Sequence, residues 1–135
     1  MTVPEQPPEP LPSQGLAREI SRLALMKKAK DIHILDVRKQ TSITDFFIIC
    51  SGSTDVHVKA IHDGILDGLE PDMKPWHIEG MASLRWILMD YVDVVVHVFQ
   101  PEVRDYYQLE RLWADAELEI LEDSSPVASP GRPSD

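Results

Sequence analysis

Two short apolar runs limit the folds open to this chain more than any other feature. Residues 46–50 read FFIIC and residues 94–99 read VVVHVF, each with the length of a β-strand and with few polar positions. Strands of this kind lie inside a sheet that is covered on both faces. The sequence therefore predicts an α/β domain, in which helices pack against a sheet.

A turn and a helix follow the first run. Residues 51–54 read SGST, which ends the strand and offers hydroxyl caps to a helix with Asp55 in its first turn. The apolar face of that helix carries Val58, Ile61, Ile65 and Leu69. A strand followed by a crossover helix predicts a parallel strand nearby.

The other segments complete a mixed sheet. Residues 84–89 and 94–99 are predicted strands joined by only four residues, which makes them antiparallel neighbours. The further predicted segments are a helix over residues 16–30, strands over 31–37 and 76–80, and a last helix from Pro101 with Tyr106, Leu109, Trp113 and Ala116 on one stripe. We expect a single domain with a mixed β-sheet of about five strands flanked by helices.

Proline separates the ends of the chain from its body. Eight of the eleven prolines lie in the two ends, and both ends lack the apolar residues that would offset the entropy of ordering. We therefore predict disorder for residues 1–14 and 123–135, and one folded domain over residues 15–122.

Charge and cysteine content exclude several classes of function. The formal net charge of -10 disfavours binding to bare DNA, RNA or anionic lipid and favours a basic protein partner. The single cysteine, Cys50, excludes an intramolecular disulfide and a multi-cysteine metal cage, and it fits a reducing, cytoplasmic setting. No window approaches the roughly 18 apolar residues of a membrane span.

A search for catalytic chemistry yields little. His57 and His62 are five residues apart on a predicted helix, about 140° from each other, which is a poor spacing for one metal ion. His97 lies in an apolar strand and is expected to be a hydrogen-bonded core histidine. The Gly52-Ser53 turn loosely resembles that of nucleotidyltransferases, but the acids are misplaced. We expect no enzyme and no cofactor, and a metal-dependent nucleotidyltransferase is the weaker alternative.

Aromatic residues near the final hairpin point to a binding surface instead. A small domain can rarely bury all of them, and exposed Trp and Tyr beside the acids Asp93 and Glu102 would form an anchor rimmed with negative charge. Such a surface suits a basic protein partner. The aromatic residues concerned are Trp86, Tyr91, Tyr106, Tyr107 and Trp113.

Three separated motifs resemble the ribosomal silencing factors, also called the RsfS or Iojap family. They are LDVRKQTSITDFFIICSGST with HIEG, then WILMDYVDVVVHVF, then PEVRDYYQLERLW. The resemblance implies a nucleotidyltransferase-like fold without catalytic acids. It also implies binding to the large ribosomal subunit through its fourteenth protein, which blocks joining of the small subunit and represses translation when nutrients are limiting. The contact residues that it implies are Trp86, Tyr91, Asp93 and Tyr107, with Glu102 and Arg104 as weaker candidates.

The resemblance leaves the cellular role and the oligomeric state open, and this chain departs from the family at one position. The same surface could serve assembly of the large subunit rather than repression. Isolated family members often pair as homodimers, and the sequence is compatible with a monomer or a dimer. The family usually has glycine where this chain has Val92. Because a β-branched residue adopts positive φ only under strain, we expect a different type of turn here.

Overall fold

The computed structural model describes residues 12–122, which form helices packed on a six-stranded mixed sheet. The sheet has the strand order β3-β4-β5-β2-β1-β6. In chain order the elements are α1 (Pro12–Met26), β1 (Lys30–Asp36), β2 (Phe46–Ser51), α2 (Asp55–Gly68), β3 (His77–Glu79), β4 (Trp86–Asp90), β5 (Val94–Phe99), α3 (Pro101–Tyr107), α4 (Leu109–Leu112) and β6 (Glu117–Leu121). The predicted α/β class is confirmed, with six strands where about five were expected.

The two apolar runs form the centre of the sheet. β2 and β5 lie side by side and are parallel, with Phe46 opposite Val94 and Ser51 opposite Phe99. All other neighbouring pairs are antiparallel. The parallel pair that the crossover helix predicted is therefore β2 and β5, and it is buried on both faces because helices cover each side.

The larger core lies between the sheet and helices α1 and α2. From α1 it receives Ile20 and Ala24, and from α2 it receives Ile61 and Ile65, all with no exposed surface. These residues recur three or four positions apart, so each helix turns one apolar face to the sheet. The helix α2 begins where predicted, because the Thr54 hydroxyl accepts a hydrogen bond from the backbone N–H of His57 at 3.1 Å.

The smaller core lies on the opposite face, under α3 and α4. Leu35, Ile49 and Phe99 are its buried sheet residues, and Val103 and Trp113 pack on them from the helical side. Because α3 and α4 are short, part of this face of the sheet stays uncovered, and the candidate site lies beside them.

The limits of α1 differ from the prediction at both ends. The helix starts at Pro12, so residues 12–14 belong to the folded part and not to the predicted N-terminal tail. It ends at Met26, and Lys28 has a φ of 65°. The Lys28 N–H bonds to the Leu25 carbonyl and the Ala29 N–H to the Ala24 carbonyl, which is the Schellman pattern of helix ends. Lys27, Lys28 and Lys30, which lie within the predicted helix over residues 16–30, therefore follow the helix.

The predicted last helix is wrong in its second half. Gln108 adopts a left-handed conformation, with φ 47° and ψ 53°, and separates α3 from the single turn α4. The chain then forms β6, which pairs antiparallel with β1 at the edge of the sheet. The predicted tails at residues 1–11 and 123–135 lie outside the described residues.

Candidate functional site

The main candidate site is a groove of about 550 Å³ between α3 and the start of β4. We call it the aromatic groove. It is lined by Ser83, Arg85, Trp86, Glu102, Val103, Tyr106 and Tyr107. Three of the residues that the sequence had singled out as contacts, Trp86, Glu102 and Tyr107, meet here.

Stacked rings form one side of the groove. Trp86 lies on Phe99, with 4.7 Å between ring centroids, and contacts Tyr107 at 5.0 Å. Tyr106 meets Tyr107 edge to face, also at 5.0 Å. The inner ring, Trp86, is half-buried, whereas Tyr107 and Tyr106 are 54% and 81% exposed. Exposed aromatic rings of this size above a buried apolar base are typical of protein interaction sites.

A buried histidine holds the tryptophan ring in place. The indole N–H of Trp86 donates to Nδ1 of His97 at 3.1 Å. Burial lowers the pKa of His97 to about 4, so the ring is neutral near pH 7 and Nδ1 is free to accept. The expectation of a hydrogen-bonded core histidine is thus confirmed, and Trp86 presents its exposed edge in one fixed orientation.

The loop before β4 forms the rim of the groove. Gly80, with a φ of 95°, turns the chain close under β4, where an added Cβ would lie 1.9 Å from the Trp86 carbonyl oxygen. Across the loop, the Gln100 N–H bonds to the Arg85 carbonyl at 2.9 Å and the Gln100 side chain donates to the Leu84 carbonyl at 3.0 Å. These contacts place Arg85 on the rim that it shares with the acidic Glu102.

Two of the predicted contact residues lie far from the groove. Tyr91 is only 6% exposed and belongs to the larger core, on the other face of the sheet. Burial raises the pKa of its hydroxyl to about 12. Asp93 is exposed in the hairpin between β4 and β5, and its carbonyl accepts from the N–H groups of Asp45 and Phe46. The length of β4, about 13 Å at 3.3 Å per residue, separates this hairpin from Trp86.

Arg104, also predicted as a contact, is buried and serves the fold. Its guanidinium donates to Oε2 of Glu110 at 3.1 Å and to the Ser51 hydroxyl at 2.8 Å. Nδ1 of His33 reaches the same carboxylate at 3.2 Å. Burial alone would raise the pKa of Glu110, but the hydrogen bonds and charge of Arg104 outweigh it, so the pKa lies below its usual value. The network ties α3 and α4 to strands β1 and β2.

The hairpin turn keeps a positive φ in spite of its valine. Val92 has a φ of 76°, and the Asp93 N–H bonds back to the Tyr91 carbonyl at 2.9 Å. The Asp90 carboxylate accepts from the Val92 N–H at 2.8 Å. A bond between residues two apart, around a φ near +75°, is a γ-turn, which is rare and strained. Val92 therefore adopts the positive φ that, from the sequence, a β-branched residue was expected to adopt only under strain.

The described residues offer little for catalysis. Between residues 12 and 122 no three His, Cys, Asp or Glu side chains are grouped as a metal site would need. The thiol of Cys50 is fully buried, and that burial raises its pKa to about 12, so it is not a ready nucleophile. Over the same residues, none of the helices combines the length and the apolar character needed to span a bilayer.

Sequence reasoning missed part of the groove. Arg85, Ser83 and Val103 were not singled out, because their place depends on how the loop before β4 meets α3. The alternation of side chains along β4 could have shown that Trp86 and Tyr91 face opposite sides of the sheet. Tyr91 is an odd number of positions from Trp86, so the side-chain alternation of an extended chain directs it to the other face, with Ile87 and Met89.

Comparison with known proteins identifies the family. The profile described as "Ribosomal silencing factor during starvation", RsfS, matches residues 10–134. Ribosomal silencing factor RsfS of Bacillus subtilis is 42% identical over 97 residues, which are 71% of this chain and 82% of that protein. The protein of the same name from Chromobacterium violaceum is 42% identical over 101 residues, 71% of this chain and 83% of that protein.

More distant relatives and a solved structure agree with these matches. A mouse protein named "Mitochondrial assembly of ribosomal large subunit protein 1" is 32% identical over 95 residues, 67% of this chain but only 42% of its own length. A crystal structure of a Chromobacterium violaceum protein superposes with a TM-score of 0.74 at 32% identity, over 88% of this chain and all of that one. The chain therefore belongs to the ribosomal silencing factor family, RsfS.

Proposed function

We propose that this protein docks on the large ribosomal subunit through its fourteenth protein and blocks joining of the small subunit. Translation is thereby repressed under nutrient limitation. The role is steric and non-catalytic, needs no cofactor or direct contact with DNA, and is carried out in the cytoplasm. The observation that supports it best is the exposed aromatic groove in a member of the silencing family.

The groove has the chemistry of an anchor site. Trp86 rests on Phe99 and is oriented by His97, so little conformational entropy is lost when a partner covers it. Tyr106 and Tyr107 are already ordered against each other and add exposed ring surface. Buried aromatic anchors of this kind each contribute on the order of 2 kcal/mol or more to binding when they lie at the centre of an interface.

The formal net charge of -10 supports a basic partner, while Arg85 and Glu102 balance each other on the groove itself. Glu102 lies on the groove, and Asp93 is exposed at the far end of the hairpin. We propose Trp86, Tyr107 and Glu102 as the central contacts and Asp93 as a second, separate contact. Tyr91 and Arg104 act by holding the hairpin and α3 in place, because both side chains are buried.

The test is cosedimentation of the purified protein with large subunits, with and without added small subunits. We expect Tyr107→Ala to keep the fold, since its ring is 54% exposed, and to lose both subunit binding and the block on joining. Trp76→Ala is the matched control, because Trp76 is 76% exposed and lies outside the groove. Normal cosedimentation of a folded Tyr107→Ala protein would refute the groove as the contact.

A second role, in assembly of the large subunit, is favoured by one comparison. The mouse relative is named for assembly of the mitochondrial large subunit. Depletion of the protein in cells distinguishes the two roles. Accumulation of immature large-subunit particles supports assembly, whereas excess subunit joining during starvation supports silencing.

A further inference from the structure

The aromatic groove and the point where the described chain ends lie at the same end of the strands, although on different strands of the sheet. β6 ends at Leu121, which pairs with Ile32 in β1, and β1 begins beside Ser51 at the end of β2. Ser51 pairs with Phe99, and Phe99 with Trp86. The last described residues therefore lie at the end of the strands that carries the groove.

Two neighbouring cavities lie between Leu121 and α3, and the groove lies on the far side of that helix. A cavity of about 240 Å³ lies at Leu121 and Glu122 and includes Asp31. Asp31 also lines a cavity of about 630 Å³ that reaches Asp105 on one side of α3. The groove occupies the other side of α3, so that helix is the only described element between the second cavity and the groove.

The length of the C-terminal segment matches this path. β6 and β4 are four positions apart in the sheet, which is about 19 Å at a strand spacing of about 4.8 Å. The eight steps from Glu122 to Pro130 span about 25 Å if the chain is extended at 3.1 Å per residue. The extended length exceeds the distance between the strands by about 6 Å, so residues 130–133 are within reach of the groove.

The chemistry of that segment also fits the groove. Residues 130–133 read PGRP, and Arg132 is the only Lys or Arg in residues 123–135. Proline-rich segments bind grooves lined by Trp and Tyr because their extended backbone is preformed and costs little entropy. Arg132 carries the charge opposite to that of Glu102 on the groove wall.

The proline-rich N-terminal segment is a poorer occupant. It joins the domain at Pro12, and the neighbouring Ser13 hydroxyl donates to the Asp45 carboxylate at 2.7 Å, at the opposite end of the strands from the groove. Only Leu11 separates its last proline, Pro10, from the helix. Pro7, Pro8 and Pro10 lie at most five positions from Pro12, a reach of about 18 Å at 3.6 Å per residue, which is less than the roughly 20 Å from Asp45 to Ser51 along β2.

We propose that residues 130–133 occupy the aromatic groove of their own chain and compete with the ribosomal partner. This regulation rests on the proposed function of the groove, whereas the docking itself does not. A tether of this length gives an effective concentration in the millimolar range, so a segment with a Kd of that order fills the groove about half the time. The apparent affinity for the partner then falls about two-fold.

The docking is tested in the full-length protein without ribosomes. A nitroxide spin label is attached at Ser134→Cys, and Cys50 does not react because it is fully buried. We expect the amide NMR signals of Glu102 and Tyr106 to lose intensity. The amide signal of Val92, at the opposite end of the strands, should not. Substitution of Pro130, Arg132 and Pro133 by serine in the labelled protein is the matched control and should restore the signals.

Competition is tested by large-subunit binding of the unlabelled serine variant, whose apparent affinity should rise about two-fold. Intensity loss spread over the whole surface, or unaffected by the serine substitutions, would overturn the docking. Loss that disappears on dilution would show docking between two copies and overturn it equally. Groove docking with unchanged subunit affinity would overturn the competition. Groove docking in a protein that binds no large subunits in any form would support the docking and refute the proposed function.

Discussion

Replacement of Val92 by glycine is expected to stabilise the protein, although it removes a side chain. Val92 has a φ of 76° at the tip of the hairpin, and its side chain is 56% exposed. A non-glycine residue in this region of φ costs about 1–3 kcal/mol, and a β-branched residue is at the upper end because its Cβ carries two heavy atoms. Glycine adopts the same φ without that cost.

The effects by which glycine at position 92 would destabilise the protein are smaller than this gain. Glycine gives the unfolded chain more freedom, which costs the folded state about 1 kcal/mol. Little apolar contact is lost, because the valine is largely exposed. The two hydrogen bonds of the turn are donated by the backbone N–H groups of Val92 and Asp93, and the substitution removes neither donor. We therefore expect a net gain of about 1–2 kcal/mol in the free energy of unfolding.

Urea denaturation followed by circular dichroism measures this change. A gain of about 1 kcal/mol corresponds to a rise in Tm of about 4 °C or more in a domain of this size. Val92→Ala is the matched control, since alanine keeps a Cβ but loses the branch, and it should lie between the two proteins. A Val92→Gly protein less stable than the unsubstituted one, with an unchanged m-value, would show that the turn stores no strain.

Two further predictions concern buried polar groups. Arg104→Ala should lower the free energy of unfolding by about 3 kcal/mol, because it leaves the partly buried Glu110 without its cation. Arg111→Ala, at an exposed position, should change the same quantity by less than about 0.5 kcal/mol in the same denaturation assay. The pKa of His97 is about 4 in the folded protein and about 6.5 unfolded, so below pH 6.5 the unfolded chain takes up a proton that the folded chain does not. Between pH 6.5 and 4, this group should lower the free energy of unfolding by up to about 1.4 kcal/mol for each unit that the pH falls. The His97→Gln protein should show a shallower fall. Equal slopes for the two proteins would contradict the burial of a neutral ring.

The edge strand β6 could not be predicted from its local sequence pattern alone. Residues 117–121 read ELEIL, a short segment that alternates acidic and apolar residues over its first four positions and could be a helix turn or a tail. It is a strand because β1 offers an unpaired edge, with Leu118 opposite Leu35 and Ile120 opposite His33. The end of α3 has a similar cause, because the contact of Arg104 with Glu110 bridges the left-handed Gln108 between the two helices.

The sequence by itself determined the α/β class, the presence of a parallel strand pair, and the start and apolar face of α2. Each follows from local signals, namely continuous apolar runs, period and capping residues, that hold wherever the segment lies. Tertiary structure decided which candidate contacts share one surface. Trp86, Glu102 and Tyr107 come from β4 and α3 and meet only because α3 packs over that end of the sheet, while Arg104, from the same short helix, turns inward to Ser51. Such long-range packing depends on shape and on partners distant in sequence, which no local pattern contains.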